Sequence, residues 1–136
     1  ALARRWARIV SAYAAADGRR HPVVPAALEA WAALGGVRVP AGPASHELAP
    51  SAFVLDPRGV KASVDTLARL GEAVGAALTP LGEEGDGTGI LSIDARGRVF
   101  VSDHTGDWFL GASLEEAVTA LVLGLPAHRV AEDGSW

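Results

Sequence analysis

Helical and strand periodicities take turns along this chain. Leu2, Trp6, Ile9 and Tyr13 recur at spacings of four, three and four. That is one stripe of an amphipathic helix, and Arg4, Arg5 and Arg8 fall mostly off it. The spacing predicts a helix over residues 2–16, stopped by Asp17-Gly18. Pro25 suits the first turn of a second helix, with Leu28, Trp31 and Leu34 inward and Gly35-Gly36 able to take a left-handed end. Val37–Val39 and Phe53–Leu55 read as short strands, the latter closed by Asp56-Pro57. Residues 40–50 hold three prolines and a glycine and read as a loop. Val64, Leu67, Leu70, Val74 and Leu78 mark a third helix over 63–77.

The second half switches to strands. Leu78–Leu81 begins the main sheet, and Gly82–Gly89 reads as a polar, glycine-rich turn region. Gly89–Ile93 and Arg98–Ser102 form strands around Asp94-Ala95-Arg96-Gly97, a hairpin connection with a glycine for positive φ. Trp108–Leu110 is a further strand. Ser113 and Glu116 stand at capping-box spacing and open a helix that runs to Leu123 and stops at Gly124. This order predicts an α+β fold with a single antiparallel β-sheet and flanking helices. Leu91, Ile93, Val99 and Val101 are expected to face one helical layer, together with Leu67, Val74, Leu114 and Leu121. Trp6, Trp31 and Trp108 are expected in the core, and Trp136, in a polar tail, is expected to be mobile.

Composition narrows the chemistry. At roughly 100–200 residues per domain, the 136 residues are expected to form one domain, 1–136. There is no cysteine, which removes disulfides, thiol nucleophiles and cysteine-ligated metals. No apolar run approaches the about 18 residues of a membrane span, and no signal peptide is visible, so a cytoplasmic location is expected. The 27 alanines and the ratio of 11 arginines to one lysine read as GC-rich coding, as in actinobacteria. Net charge is −4, unevenly spread. Residues 1–40 carry six arginines against Asp17 and Glu29, whereas residues 81–136 carry ten acids against Arg96, Arg98 and Arg129. The acidic half repels nucleic acid and attracts a basic surface, or is simply a set of solvated turns and helix faces.

Two stretches invite chemistry. Gly82–Gly89 is rich in glycine, but Glu83, Glu84 and Asp86 would repel phosphate, and the lysine of a P-loop is absent. The EF-hand spacing is absent too. A surface turn, a protein-binding edge and a metal site remain as readings, in falling order. Asp103-His104-Thr105-Gly106-Asp107 carries a candidate base and ligands, yet His21, His46 and His128 fall on separate predicted segments. No zinc-protease, deaminase or nucleophile-elbow motif is present, and Asp and Gly suit a bend between strands. Arg4, Arg5, Arg8, Arg19 and Arg20 are basic, but their helix turns its aromatics inward, which argues against direct nucleic-acid binding.

Several strings in this order resemble the SUKH superfamily of bacterial immunity proteins, particularly its third subgroup. They are Leu28–Val37 with Trp31 and Gly35-Gly36, Phe53–Pro57, and Leu78–Glu83 followed by Ile90–Asp94 and Gly97–Phe100. Trp108–Gly111 then leads into Glu116–Val118 and Leu121–Gly124. The resemblance covers about residues 25–124. It implies an antiparallel α+β domain that binds and neutralises a cognate polymorphic toxin, a nuclease or nucleic-acid deaminase. It implies no catalytic residue, no cofactor and no metal. A non-enzymatic interaction or scaffold module of the same fold in cell regulation is the alternative, and a small hydrolase or metal enzyme is a lesser one. The partner-facing surface is expected to comprise Glu83, Glu84, Asp86, Asp103 and Asp107, with His104 and Trp108 at its edge. Both segments flank the 89–102 hairpin, and binding residues concentrate in connections on a rigid scaffold. Expected partners are a toxin with a basic active-site surface, with no direct nucleic acid and no membrane.

Overall fold

Alternating residues around Gly97 and helical stripes on either side assemble as one sheet with helices on both faces. The structure, a computed structural model, describes residues 1–40, 52–60, 63–85 and 87–136. The elements run α1 (Leu2–Ala12), α2 (Pro25–Leu34), β1 (Arg38–Val39), β2 (Phe53–Val54), a 3-10 turn (Pro57–Gly59), α3 (Val64–Val74), β3 (Thr79–Glu84), β4 (Gly89–Ile93), β5 (Val99–Asp103), β6 (Gly106–Gly111), α4 (Leu114–Leu123) and β7 (His128–Arg129). Among the described residues the seven strands lie side by side in chain order, every pair antiparallel. The α+β class and the single antiparallel sheet agree with the expectation. The loop expected over 40–50 lies almost wholly outside the described residues.

Register decides which face each strand residue serves. Leu91 pairs with Val101 and Ile93 with Val99, and all four enter one core with Trp6, Val10, Ala27, Trp31 and Leu121. Helices α1, α2 and α4 cover this face. Phe100 points the other way, into a second core with Leu67, Leu70, Leu78 and Val130. Helix α3 therefore packs opposite the other three. The single helical layer expected for Leu67 and Val74 alongside Leu91 is corrected by this division. Periodicity shows that a helix has an apolar stripe, but it carries no information on which sheet face takes it.

Local chemistry explains the main boundaries. Helix α1 stops at Ala12, short of Asp17-Gly18, and Tyr13 leaves in an extended conformation. Tyr13 donates its hydroxyl to the Arg58 carbonyl at 2.8 Å, and Arg20 donates to the carbonyls of Ser11 and Ala12 at the helix end. Gly18 then serves a turn between Ala14 and Arg20, which form a bridge. In α2 the fully buried positions are Ala27, Ala30 and Trp31, while Leu28 and Leu34 are half-buried. Small alanines let this helix approach closely, and the Trp31 indole donates to the Leu81 carbonyl at 3.1 Å. Trp6 meets Trp31 edge-on at 6.0 Å. Thr79 ties the entry of α2 to the start of β3, accepting from the Val24 amide at 2.9 Å and donating to the Pro22 carbonyl at 2.8 Å.

Gly82, Glu83 and Glu84 are strand residues rather than part of a turn. They are held between β2 and β4, through Phe53↔Glu84, Val54↔Glu83, Gly82↔Leu91 and Glu84↔Gly89. A Cβ on Gly82 would lie 2.0 Å from the Val54 carbonyl oxygen, so only glycine allows β2 this close. The register shift beside it falls between Pro80 and Gly82, next to a proline that has no amide to give to the ladder. Trp136 is docked rather than mobile. It stacks on Phe109 at 4.7 Å, meets Phe100 at 5.7 Å and lies under the Arg98 guanidinium. Ser113 accepts from the Glu116 amide at 3.2 Å, but Glu116 reaches one residue further back than a capping box requires, to the Ala112 amide at 2.8 Å. Strand β7 was not anticipated, because two exposed residues carry no alternation.

Truncating a residue that is 1% exposed in the centre of the larger core should be costly. Leu91→Ala is expected to lower the unfolding free energy by about 2–5 kcal/mol. Denaturant titration checks this, and a loss below about 1 kcal/mol would contradict the burial.

Candidate functional site

The two acid-bearing segments meet at one end of the sheet. Glu84 pairs with Gly89, Ile90 with Ser102, and Asp103 with Gly106. The β3–β4 and β5–β6 connections are therefore neighbours at the same rim. The same register splits the candidate residues between faces. Glu84 lies opposite Phe53, and Trp108 opposite Val101, on the face covered by α1, α2 and α4. Asp103, two residues beyond Val101, shares that face. Glu83 pairs with Ile90 and Asp107 with Ser102, which places both on the α3 face. His104 is exposed at the tip of the β5–β6 turn. Asp86 lies outside the described residues.

Asp103 shapes its own turn. Its Oδ1 accepts from the Thr105 amide at 2.8 Å and the Thr105 hydroxyl at 2.5 Å. Trp108 donates its indole N–H to the same hydroxyl at 3.2 Å. Partial burial pushes the Asp103 carboxyl up, but the Thr105 bonds, together with His104 and the Trp108 indole, outweigh it and hold the group below its ordinary value. Arg129, on β7, stacks over the Trp108 ring at 5.6 Å. Glu83 lies against Gly59, where an added Cβ would come within 2.6 Å of its carboxylate. Asp107 accepts the Val130 amide at its carbonyl, at 2.9 Å.

A groove of about 280 Å³ opens between this rim and the end of α4. Val101, Trp108 and Leu110 line it from the sheet, and Leu121, Leu125 and Pro126 from the helix and the segment after it. Glu84 and Asp103, at the ends of their strands, also line it. Sequence reasoning found the acids and Trp108 but missed the helical wall. The available signal was the run Leu121-Val122-Leu123, followed by Leu125, which is apolar around the whole helix end. Val122, Leu123 and Leu125 are indeed exposed, at 44%, 42% and 36%.

Other candidate chemistry resolves into structure. His21 Nε2 lies 2.7 Å from the Ser63 hydroxyl, a spacing that suggests a nucleophile and base. The Ser63 hydroxyl, however, donates to the Val60 carbonyl at 2.7 Å. Its single proton is spent there, so Nε2 must carry the proton and donate to Ser63. Ser63 is also fully buried. The pair pins the start of α3 to the segment before α2. Among the described residues, no group of three or more His, Asp or Glu side chains converges as a metal site. No helix is long and apolar enough to cross a membrane among those residues.

The family model of SUKH-3 immunity proteins matches residues 1–124. The chain belongs to the SUKH-3 immunity protein family. Its role is accordingly that of an immunity protein. The match takes in α1, which lies before the 25–124 span of the resemblance in the sequence, and it ends before Leu125. Searches of curated proteins and of solved structures returned no match.

Burial pushes the His21 imidazole down from its ordinary 6.5 to about 4. The folded protein therefore keeps it neutral where the unfolded chain takes a proton. Its contribution is complete above pH 6.5, is lost as pH falls from there, and levels off near pH 4. The loss attributable to this group is about 2–3 kcal/mol. His21→Gln keeps a donor for Ser63 but cannot titrate. Its stability should fall less than the parent's between pH 6.5 and 4 in denaturant titrations, and parallel curves would show that His21 does not carry this dependence.

Proposed function

We propose that the chain neutralises a cognate polymorphic toxin by direct, non-enzymatic contact, and that the toxin is a nuclease or nucleic-acid deaminase. The observation that carries this reading is the strand register, which brings the β3–β4 and β5–β6 connections to one rim. Glu83, Glu84, Asp103 and Asp107 stand around it, and Asp86 lies within the first connection in the sequence. Enzymes that act on DNA or RNA present basic grooves to phosphates. A rim of carboxylates on a rigid sheet can occupy such a groove as a polyanion mimic. Like charges held this close repel one another, and a basic partner relieves the repulsion. The work is done in the cytoplasm, where the toxin meets its substrate, and it needs no cofactor or metal.

Charge also serves speed. Complementary fields raise association toward about 10⁸–10⁹ M⁻¹s⁻¹ at low salt. An immunity protein has to capture its toxin before the toxin acts. The direct test is co-expression with the C-terminal domain of the neighbouring gene's product, scored as rescue of growth. Failure of rescue, with both proteins expressed, would refute the reading. A variant combining Glu83→Gln, Glu84→Gln and Asp107→Asn should associate with that domain several-fold more slowly at low salt, with a flatter salt dependence. Unchanged association at two salt concentrations would reduce the rim to solvated turns.

A further inference from the structure

The groove beside α4 suggests how the toxin is held, as distinct from how it is attracted. Its volume, about 280 Å³, falls just short of the roughly 300–1,000 Å³ of small-molecule sites, and suits one or two side chains. Its walls are apolar: Val101, Trp108 and Leu110 on one side, Leu121, Leu125 and Pro126 on the other. Among the described residues, the charged groups that line it are Glu84 and Asp103. At Asp103 both Thr105 bonds end on Oδ1. Arg129, the nearby cation on β7, stacks on Trp108 and forms no ion pair with Asp103. Next to the groove, the last turn of α4 exposes Val122 and Leu123, and with Leu125 they continue the apolar surface outward. Apolar area of this kind beside charged groups marks an interaction surface.

We propose that this groove seats an arginine of the toxin together with a neighbouring aliphatic side chain. The inference rests on the toxin-binding reading above and names the contact within it. The aliphatic group fills the space between Leu110, Leu121 and Leu125. The guanidinium meets Asp103 and Glu84, where a planar fork can engage carboxylates and lie along an aromatic face. A desolvated anchor in a pocket, ringed by weaker contacts, is where binding energy concentrates in protein interfaces. The remaining rim acids, Glu83 and Asp107, face the opposite side of the sheet and act at a distance. Steering by the rim and anchoring by the groove should therefore separate kinetically, the first in association and the second in dissociation.

The test uses the full chain and the C-terminal domain of the neighbouring gene's product, with association and dissociation rates measured by surface methods. Leu125→Glu places a charge on an exposed wall of the groove. Asp103→Asn keeps an oxygen for the Thr105 bonds but removes the anion. Melting curves that match the parent show that each variant folds. Dissociation should accelerate at least about 30-fold for Leu125→Glu and about tenfold for Asp103→Asn. Glu83→Gln with Asp107→Asn should leave dissociation within about twofold while slowing association. If the parent binds the toxin and the folded groove variants dissociate like it, the groove is not the anchor, and toxin binding itself stands. If the parent neither binds nor rescues, both readings fall together. Sedimentation of the chain alone supplies a last outcome. A dimer that Leu125→Glu dissociates would assign the groove to a second copy of this chain and overturn the proposal.

Discussion

Leu91, Ile93, Val99 and Val101 on one face of the β4–β5 hairpin, and Phe100 on the other, leave this hairpin without a solvent side. Everything else is arranged around that double burial. A strand with one wet face tolerates some freedom of register, but a slip of one residue here would drive Phe100 into the α1/α2/α4 core and Leu91 toward α3. Ser92 lies directly opposite Phe100 and is fully buried, its small side chain leaving space for the ring. Among the described residues, the hydroxyls of Ser92 and Ser102 find no hydrogen-bond partner.

The hairpin turn holds the register at one end. Asp94, fully buried, accepts from the amides of Arg96 and Arg98 at 2.9 Å each and from the Arg98 guanidinium at 2.6 Å. That one carboxylate satisfies the turn and anchors Arg98, whose guanidinium then lies over Phe100 and Trp136. Gly134 lets the tail approach α3, since a Cβ there would lie 1.8 Å from the Ala73 carbonyl oxygen. The acidic rim lies at the opposite end of the same strands. Register fixed at Asp94 is thus transmitted along β4 and β5 to the place where the two acidic connections meet. A binding surface on connections gains precision from the strands that carry them.

The division of the acids between the two faces follows from the two-residue period of a strand. Glu83 and Glu84 are neighbours in the chain, yet one faces the α3 side and the other the groove. Asp103 and Trp108 reach the groove face from opposite strands of the β5–β6 hairpin, while Asp107, next to Trp108, does not. The SUKH-3 family match ends before Leu125, so the groove's outer wall lies beyond the matched residues.

Much of this was legible from local pattern. The stripe in Val64–Val74, the alternation in 89–93 and 99–103, the glycine at 97, and the serine and glycine that bound α4 each report on contacts within a few residues. The α+β class followed from them, as did the position of both acidic segments beside the central hairpin. Helix α1 ended early because Tyr13 and Arg20 find distant or turn-closing partners, which no stripe records. Glu83 and Glu84 read locally as turn, because polar residues beside glycine resemble one, and only pairing with β2 makes them strand. Trp136 looked free because its partners, Phe100, Phe109 and Arg98, lie more than twenty residues away. A sequence determines which face of each element is apolar, since that depends on neighbours three or four residues apart in a helix or two in a strand. Which helix covers which side of the sheet, and so which carboxylates share a groove, depends on register between distant segments, and only the tertiary structure decides it.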